Sequence, residues 1–163
     1  MLIYKDIFSG DELLSDSYTM RVVDGVVYEV EAKMIVKKEG SYDMAGDGAG
    51  MEELDDPAAK TVNNIVDAHQ LVETAFDKKS YMAHIKAYMV ALKKKLEETK
   101  PDRVKDFQAG CNEFVKRVIK DFDDYSFFVG SSMASEGQTV LLRWEGTEPR
   151  MYYFVDGLQE IKV

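Results

Sequence analysis

Two apolar stripes joined across a proline constrain this chain more than any other feature. Tyr81, Ile85, Tyr88, Met89, Leu92 and Leu96 recur at three- and four-residue steps. Beyond Pro101 the spacing resumes with Val104, Phe107, Cys111, Phe114, Val115, Val118, Ile119 and Phe122, and that period places apolar side chains on one face of each of two helices. Lys100-Pro101-Asp102 reads as the turn between them. Proline's fixed φ suits the first turn of a helix, and Asp102 complements its positive dipole end. The expectation is an antiparallel helical hairpin over residues 77–121.

On both sides of the hairpin the pattern changes to that of strands. From Val22 to Val36 a turn signal at Asp24-Gly25 is followed by apolar residues alternating with Glu29, Glu31 and Lys33, as in a half-buried strand. The C-terminal third carries Ser126–Val129, Thr139–Trp144 and Met151–Val155, separated by Gly130, Gly137, Gly146-Thr147-Glu148-Pro149 and Asp156-Gly157. The class implied is α+β, one domain over 1–163 with strands before and after an inserted hairpin. Residues 39–61 fit neither period. Four glycines and seven acids with few bulky side chains read as a flexible acidic loop.

Charge is divided along the chain. The 30 acids and 21 bases give a net charge of −9, which opposes general affinity for nucleic acid or anionic membranes. Between Asp77 and Asp121, however, twelve bases face seven acids, so that this segment is +5 and the remainder −14. Such asymmetry points to two surfaces with different partners. No long uncharged apolar run offers a membrane span, and the acid at Asp6 argues against a secretory leader, so a cytoplasmic location is expected.

Catalytic chemistry finds little support. One cysteine and two histidines cannot build a structural zinc site. Cys111 lies on the apolar stripe of the second helix, a poor place for a nucleophilic thiol, and no G-x-S-x-G elbow is present. Gly46-Asp47-Gly48-Ala49-Gly50 lacks the lysine of a phosphate loop and sits among carboxylates. Those carboxylates could take calcium only weakly, without an EF-hand register. His69 and His84 have no obvious acid beside them and read as surface or satisfied histidines. The basic face of the hairpin suits an acidic protein surface, and also suits local pairs such as Lys93 with Glu97 and Lys94 with Glu98.

Several ordered segments carry a family resemblance. Met1–Asp6 leading to Gly10-Asp11-Glu12-Leu13-Leu14-Ser15-Asp16-Ser17, then Asn64-Ile65-Val66-Asp67, Tyr81–Tyr88, Lys100-Pro101-Asp102-Arg103-Val104, Phe127-Phe128-Val129-Gly130 and Asp156-Gly157-Leu158 resemble the translationally controlled tumour protein family nearly end to end. The resemblance implies a mainly antiparallel β-tent core, similar to Mss4-type GTPase-binding proteins and to methionine sulfoxide reductase B, with a protruding helical hairpin. It implies no enzyme and no required cofactor. What it implies instead is a cytosolic interaction protein that binds small GTPases of the Rheb type, with a proposed exchange-factor role, as well as tubulin, calcium and anti-apoptotic proteins.

Carried over by motif, Glu12 with Asp11 corresponds to the GTPase-facing acids, and Lys93, Lys94, Lys95, Lys100, Arg103 and Lys105 to the tubulin-associated region. Asp47 stands where the family has asparagine in a glycine-asparagine signature, and is the candidate for a weak calcium site. The family's Gly-Glu after the aromatic strand is Gly130-Ser131 here. Many members end in cysteine; this sequence ends in Val163, so no C-terminal disulfide dimer is expected.

Overall fold

The computed structural model describes residues 1–38, 41–44 and 60–163. Their strands form three antiparallel sheets. The central one has six strands, ordered β3 (Met20–Val23), β4 (Val27–Glu31), β11 (Glu148–Phe154), β10 (Val140–Glu145), β9 (Tyr125–Val129) and β8 (Val72–Thr74). A second sheet places β1 (Leu2–Asp6) between β12 (Leu158–Lys162) and β2 (Glu12–Ser15). In the third, β5 (Met34–Lys38) lies between β6 (Ser41–Met44) and β7 (Lys60–Asn63). A short helix α1 (Asn64–Ala68) follows β7, and the hairpin consists of α2 (Lys78–Thr99) and α3 (Val104–Lys120) joined by a 3₁₀ turn at Pro101–Arg103.

The continuous apolar runs of the C-terminal third have a simple cause: both faces of the central sheet are covered. Successive side chains of a strand point to opposite faces. Accordingly Phe127, Leu141, Tyr152 and Phe154 enter the core beneath the hairpin, while Phe128, Val140, Leu142, Met151 and Tyr153 enter a second core with Tyr4, Leu13, Leu14 and Ile65. The stripe expected from the helical period supplies the other side of the first core, where Tyr81, Ile85, Tyr88, Leu92, Leu96, Phe107, Cys111, Phe114 and Val118 are buried.

The stretch from Val22 to Val36 is less simple than an alternating strand. Asp24 and Gly25 both have positive φ, 56° and 72°, as a tight turn between β3 and β4 requires. Glu29, expected on a solvent face, is buried; it accepts hydrogen bonds from Arg21 Nε (2.8 Å) and the Tyr152 hydroxyl (3.0 Å). The run also breaks at Ala32-Lys33, so that β4 and β5 belong to different sheets. The expected acidic loop, 39–61, contains β6 and the first residues of β7; residues 39–40 and 45–59, with Asp47 among them, lie outside the described residues.

The ends of the hairpin are fixed by local chemistry. Asp77 caps α2 by accepting from the Ser80 N–H (2.7 Å), and Ser80 Oγ accepts from the Asp77 N–H (3.0 Å), a reciprocal capping box. At the turn, Arg103 donates to both oxygens of Asp156 at 3.0–3.3 Å and to the Gly25 carbonyl. Arg117 pairs with Asp24. The β3–β4 turn is thereby gripped by the second helix.

Candidate functional site

The acidic candidate surface is built on the connection between β1 and β2. Asp6, at the end of β1, is buried; its Oδ1 accepts from the N–H groups of Phe8 (2.8 Å) and Ser9 (3.3 Å), and its Oδ2 from the Gln138 N–H (2.6 Å). One carboxylate thus shapes the turn and pins it to the segment before β10. Gln138 in turn brackets Phe154, accepting its N–H at 2.9 Å and donating to its carbonyl at 3.3 Å.

Asp11 makes a second tie across the same junction. Its Oδ2 accepts from the Ser132 hydroxyl (2.6 Å) and, more loosely, the Ser132 N–H (3.3 Å). Gly130 lies so close beneath that any Cβ there would collide with the Asp11 carboxylate. The glycine in Gly130-Ser131 is therefore a requirement of close approach. Ser131 beside it is exposed, as are Ser132 and Met133.

Glu12 is directed differently. Its side chain is 46% exposed, and Oε1 lies 3.3 Å from Nδ1 of His69, whose side chain is only 5% exposed. The other ring nitrogen of His69 meets the Tyr18 hydroxyl at 3.2 Å, and the Tyr18 and His69 rings pack edge to face, with centroids 5.9 Å apart. Burial pulls the His69 pKa down, with Glu12 opposing that shift. A neutral ring protonated at Nδ1 accepts from Tyr18 at Nε2 and leaves its buried N–H beside Glu12 without a well-formed hydrogen bond. Nothing in the sequence singles out Glu12 as the acid that meets His69; the fold supplies it across 57 residues of chain. His84 is satisfied by Thr139, whose hydroxyl is 2.8 Å from Nε2.

The basic candidates do not form one patch. Consecutive helical residues are turned by about 100°, so Lys93, Lys94 and Lys95 diverge around α2. Lys93 lies 4.0 Å from Glu97, whereas Lys94 and Glu98 form no ion pair among the described residues. Lys95 and Lys100 border a cavity of about 420 Å³ at the turn end of the hairpin, with Tyr4, Tyr28, Asp156 and Glu160 opposite. Lys105 is exposed on α3. Arg103 is committed to Asp156, a carboxylate with 6% of its side chain exposed, and to the Gly25 carbonyl. Of the residues in this arrangement, Gln138 left no local signal of its role, and Asp156 showed only as part of a turn, with nothing to mark it as the partner of Arg103.

Other chemistry is sparse. Cys111 is buried and unpaired, and burial pushes its thiol up to about 12, unfavourable for a nucleophile. Among the described residues, no three acids, histidines or cysteines are grouped to hold a metal ion. No helix among them is long and apolar enough to cross a membrane.

Comparison with known proteins agrees with this architecture. The family model described as translationally controlled tumour protein matches residues 1–159. The translationally-controlled tumor protein homolog of Schizosaccharomyces pombe is 42% identical, with 97% of each chain covered. That of Lumbricus rubellus is 43% identical with both chains fully covered. Among solved structures, Translationally Controlled Tumor-associated Protein p23fyp from Schizosaccharomyces pombe superposes with a TM-score of 0.85 at 41% identity, covering 100% of both chains. The Caenorhabditis elegans TCTP solution structure gives 0.75 at 32% identity, covering 100% of this chain and 99% of its own. With fold, length and sequence all in agreement, the chain belongs to the translationally controlled tumour protein family.

Proposed function

We propose that this protein is a non-enzymatic cytosolic interaction protein whose β1–β2 surface binds a small GTPase of the Rheb type. The observation that carries this reading is the contrast at Asp11 and Glu12: Asp11 is held by Ser132, while Glu12, the first residue of β2, stays half exposed beside it. A fixed, solvent-facing carboxylate is what an interface uses to set register and partner choice. Nucleotide exchange would need only stronger binding to the nucleotide-free partner. In titration calorimetry, Glu12→Val is expected to lose about tenfold or more in GTPase affinity with the fold retained by circular dichroism. Equal affinities for variant and parent would refute the assignment.

A second reading is favoured by the charge of the hairpin. Lys93, Lys94, Lys95, Lys100 and Lys105, spread around the hairpin, would meet the acidic tails of tubulin from several sides, and calcium, bound weakly at Asp47, belongs to the same cytoskeletal alternative, in which no GTPase is regulated. Anti-apoptotic proteins are further partners that family membership suggests. Replacement of Lys93, Lys94 and Lys95 by Glu should abolish microtubule co-sedimentation, and the parent's association should weaken with salt. Co-sedimentation that survives the triple change would remove the hairpin as the contact.

A further inference from the structure

On the flank of the hairpin an open apolar groove of about 370 Å³ is lined by Lys86, Met89, Val90 and Lys93 of α2 and by Phe107 and Gln108 of α3. The four α2 residues form one stripe, at the i, i+3, i+4, i+7 spacing. It is distinct from the buried stripe of Tyr81, Ile85, Tyr88, Leu92 and Leu96. Val90 at its centre is 57% exposed, on a helix whose inner face is already buried. Lys86 and Lys93 stand at the two ends, about 10 Å apart along the axis. Among the described residues Lys86 has no ion-pair partner, and the only one of Lys93 is Glu97 at 4.0 Å.

We infer that this groove is a docking site for an acidic amphipathic helix of a partner protein, one presenting two adjacent apolar residues bracketed by carboxylates two turns apart. That pattern mirrors the Lys86, Met89, Val90, Lys93 spacing. The apolar centre selects against a purely acidic tail, and the lysine ends select against a neutral or basic helix. An anionic membrane fits less well, because the surface is concave and the chain outside the hairpin segment carries −14. The inference deepens the hairpin reading above and rests on it for the sign of the partner's charge.

The probe is a synthetic helical peptide of about 18 residues, long enough to hold a helix, repeating the order Glu-Ala-Ala-Leu-Leu-Ala-Ala-Glu. Anisotropy titration with the full chain should give saturable binding, with NMR shifts at 86–93 and 107–108. Val90→Glu should weaken it by about tenfold or more, and the charge-neutral Val90→Ser by about threefold. Val90 is exposed, so both variants should fold, as their melting curves will show.

Four results would each overturn the inference: no binding of the peptide; equal binding of a polyglutamate peptide indifferent to Val90; Val90-dependent sedimentation with phosphatidylserine-containing vesicles; or Val90-dependent self-association. Parallel microtubule co-sedimentation separates the two readings. Microtubule binding with no peptide binding leaves the hairpin reading standing alone, and the reverse leaves the groove without tubulin.

Discussion

Asp11 and Glu12 are neighbours on the β1–β2 connection, as Lys93 and Lys94 are on α2, yet the two pairs hold their charge in different ways. On the acidic side, position is imposed from a distance: Ser132 and Gly130 fix Asp11, and His69 sits beside Glu12. On the hairpin, the helix itself sets each lysine's direction, and most of the ammonium groups end in solvent. Arg103 and Arg117 are the exceptions, cations that bolt the hairpin to the sheet through Asp156 and Asp24. Sequence-adjacent charges thus mean different things in the two regions. In the turn they are parts of a built surface. On the hairpin, apart from Arg103 and Arg117, they are a solvated face whose partners must supply the order.

The largest test of that contrast is at Arg103. Arg103→Ala leaves Asp156 nearly buried without its counter-ion and removes the bond to the Gly25 carbonyl. The expected loss is about 2–4 kcal/mol, read as a fall in the urea midpoint at constant slope. A change within measurement error would make Arg103 one more surface base.

Gly130→Ala tests the acidic side and should cost about 1–3 kcal/mol, since the new Cβ displaces the Asp11 carboxylate from Ser132. Because the clash is with that one side chain, the double variant with Asp11→Ala should lose less than the sum of the two single changes. Additive losses would show that Gly130 answers to something other than Asp11.

A smaller effect is expected from pH. Burial lowers the pKa of His69 and His84 from 6.5, so below that value the unfolded chain binds more protons than the folded one. Their contribution to stability is complete above about pH 6.5 and is lost as the pH falls toward the depressed folded values. His69→Gln should therefore flatten the decline of melting temperature between about pH 6.5 and 5. An unaltered slope would assign the decline to other groups.

Much of this was legible because it is local. The 3.6-residue period gave both helices and the side they bury, Pro101 placed their junction, and Asp24-Gly25 placed a hairpin turn whose two central residues have positive φ. Periodicity and turn chemistry act within a few residues of chain. The same alternation misread Glu29, because whether a face meets water depends on what packs there; here Arg21 and Tyr152 do. It also ran through Ala32-Lys33, where the chain changes sheets.

By itself, then, the sequence determined the hairpin, the strand-rich flanks, the segregation of charge and, through ordered motifs, the family. Only the tertiary structure decided which charges are available. It paired Glu12 with His69, locked Asp11 to Ser132, withdrew Arg103 into a bond with Asp156, and divided the lysines among separate surfaces. The physical reason is that helix and turn propensities are settled by neighbours in sequence, whereas burial, counter-ions and open grooves depend on residues brought together from distant parts of the chain.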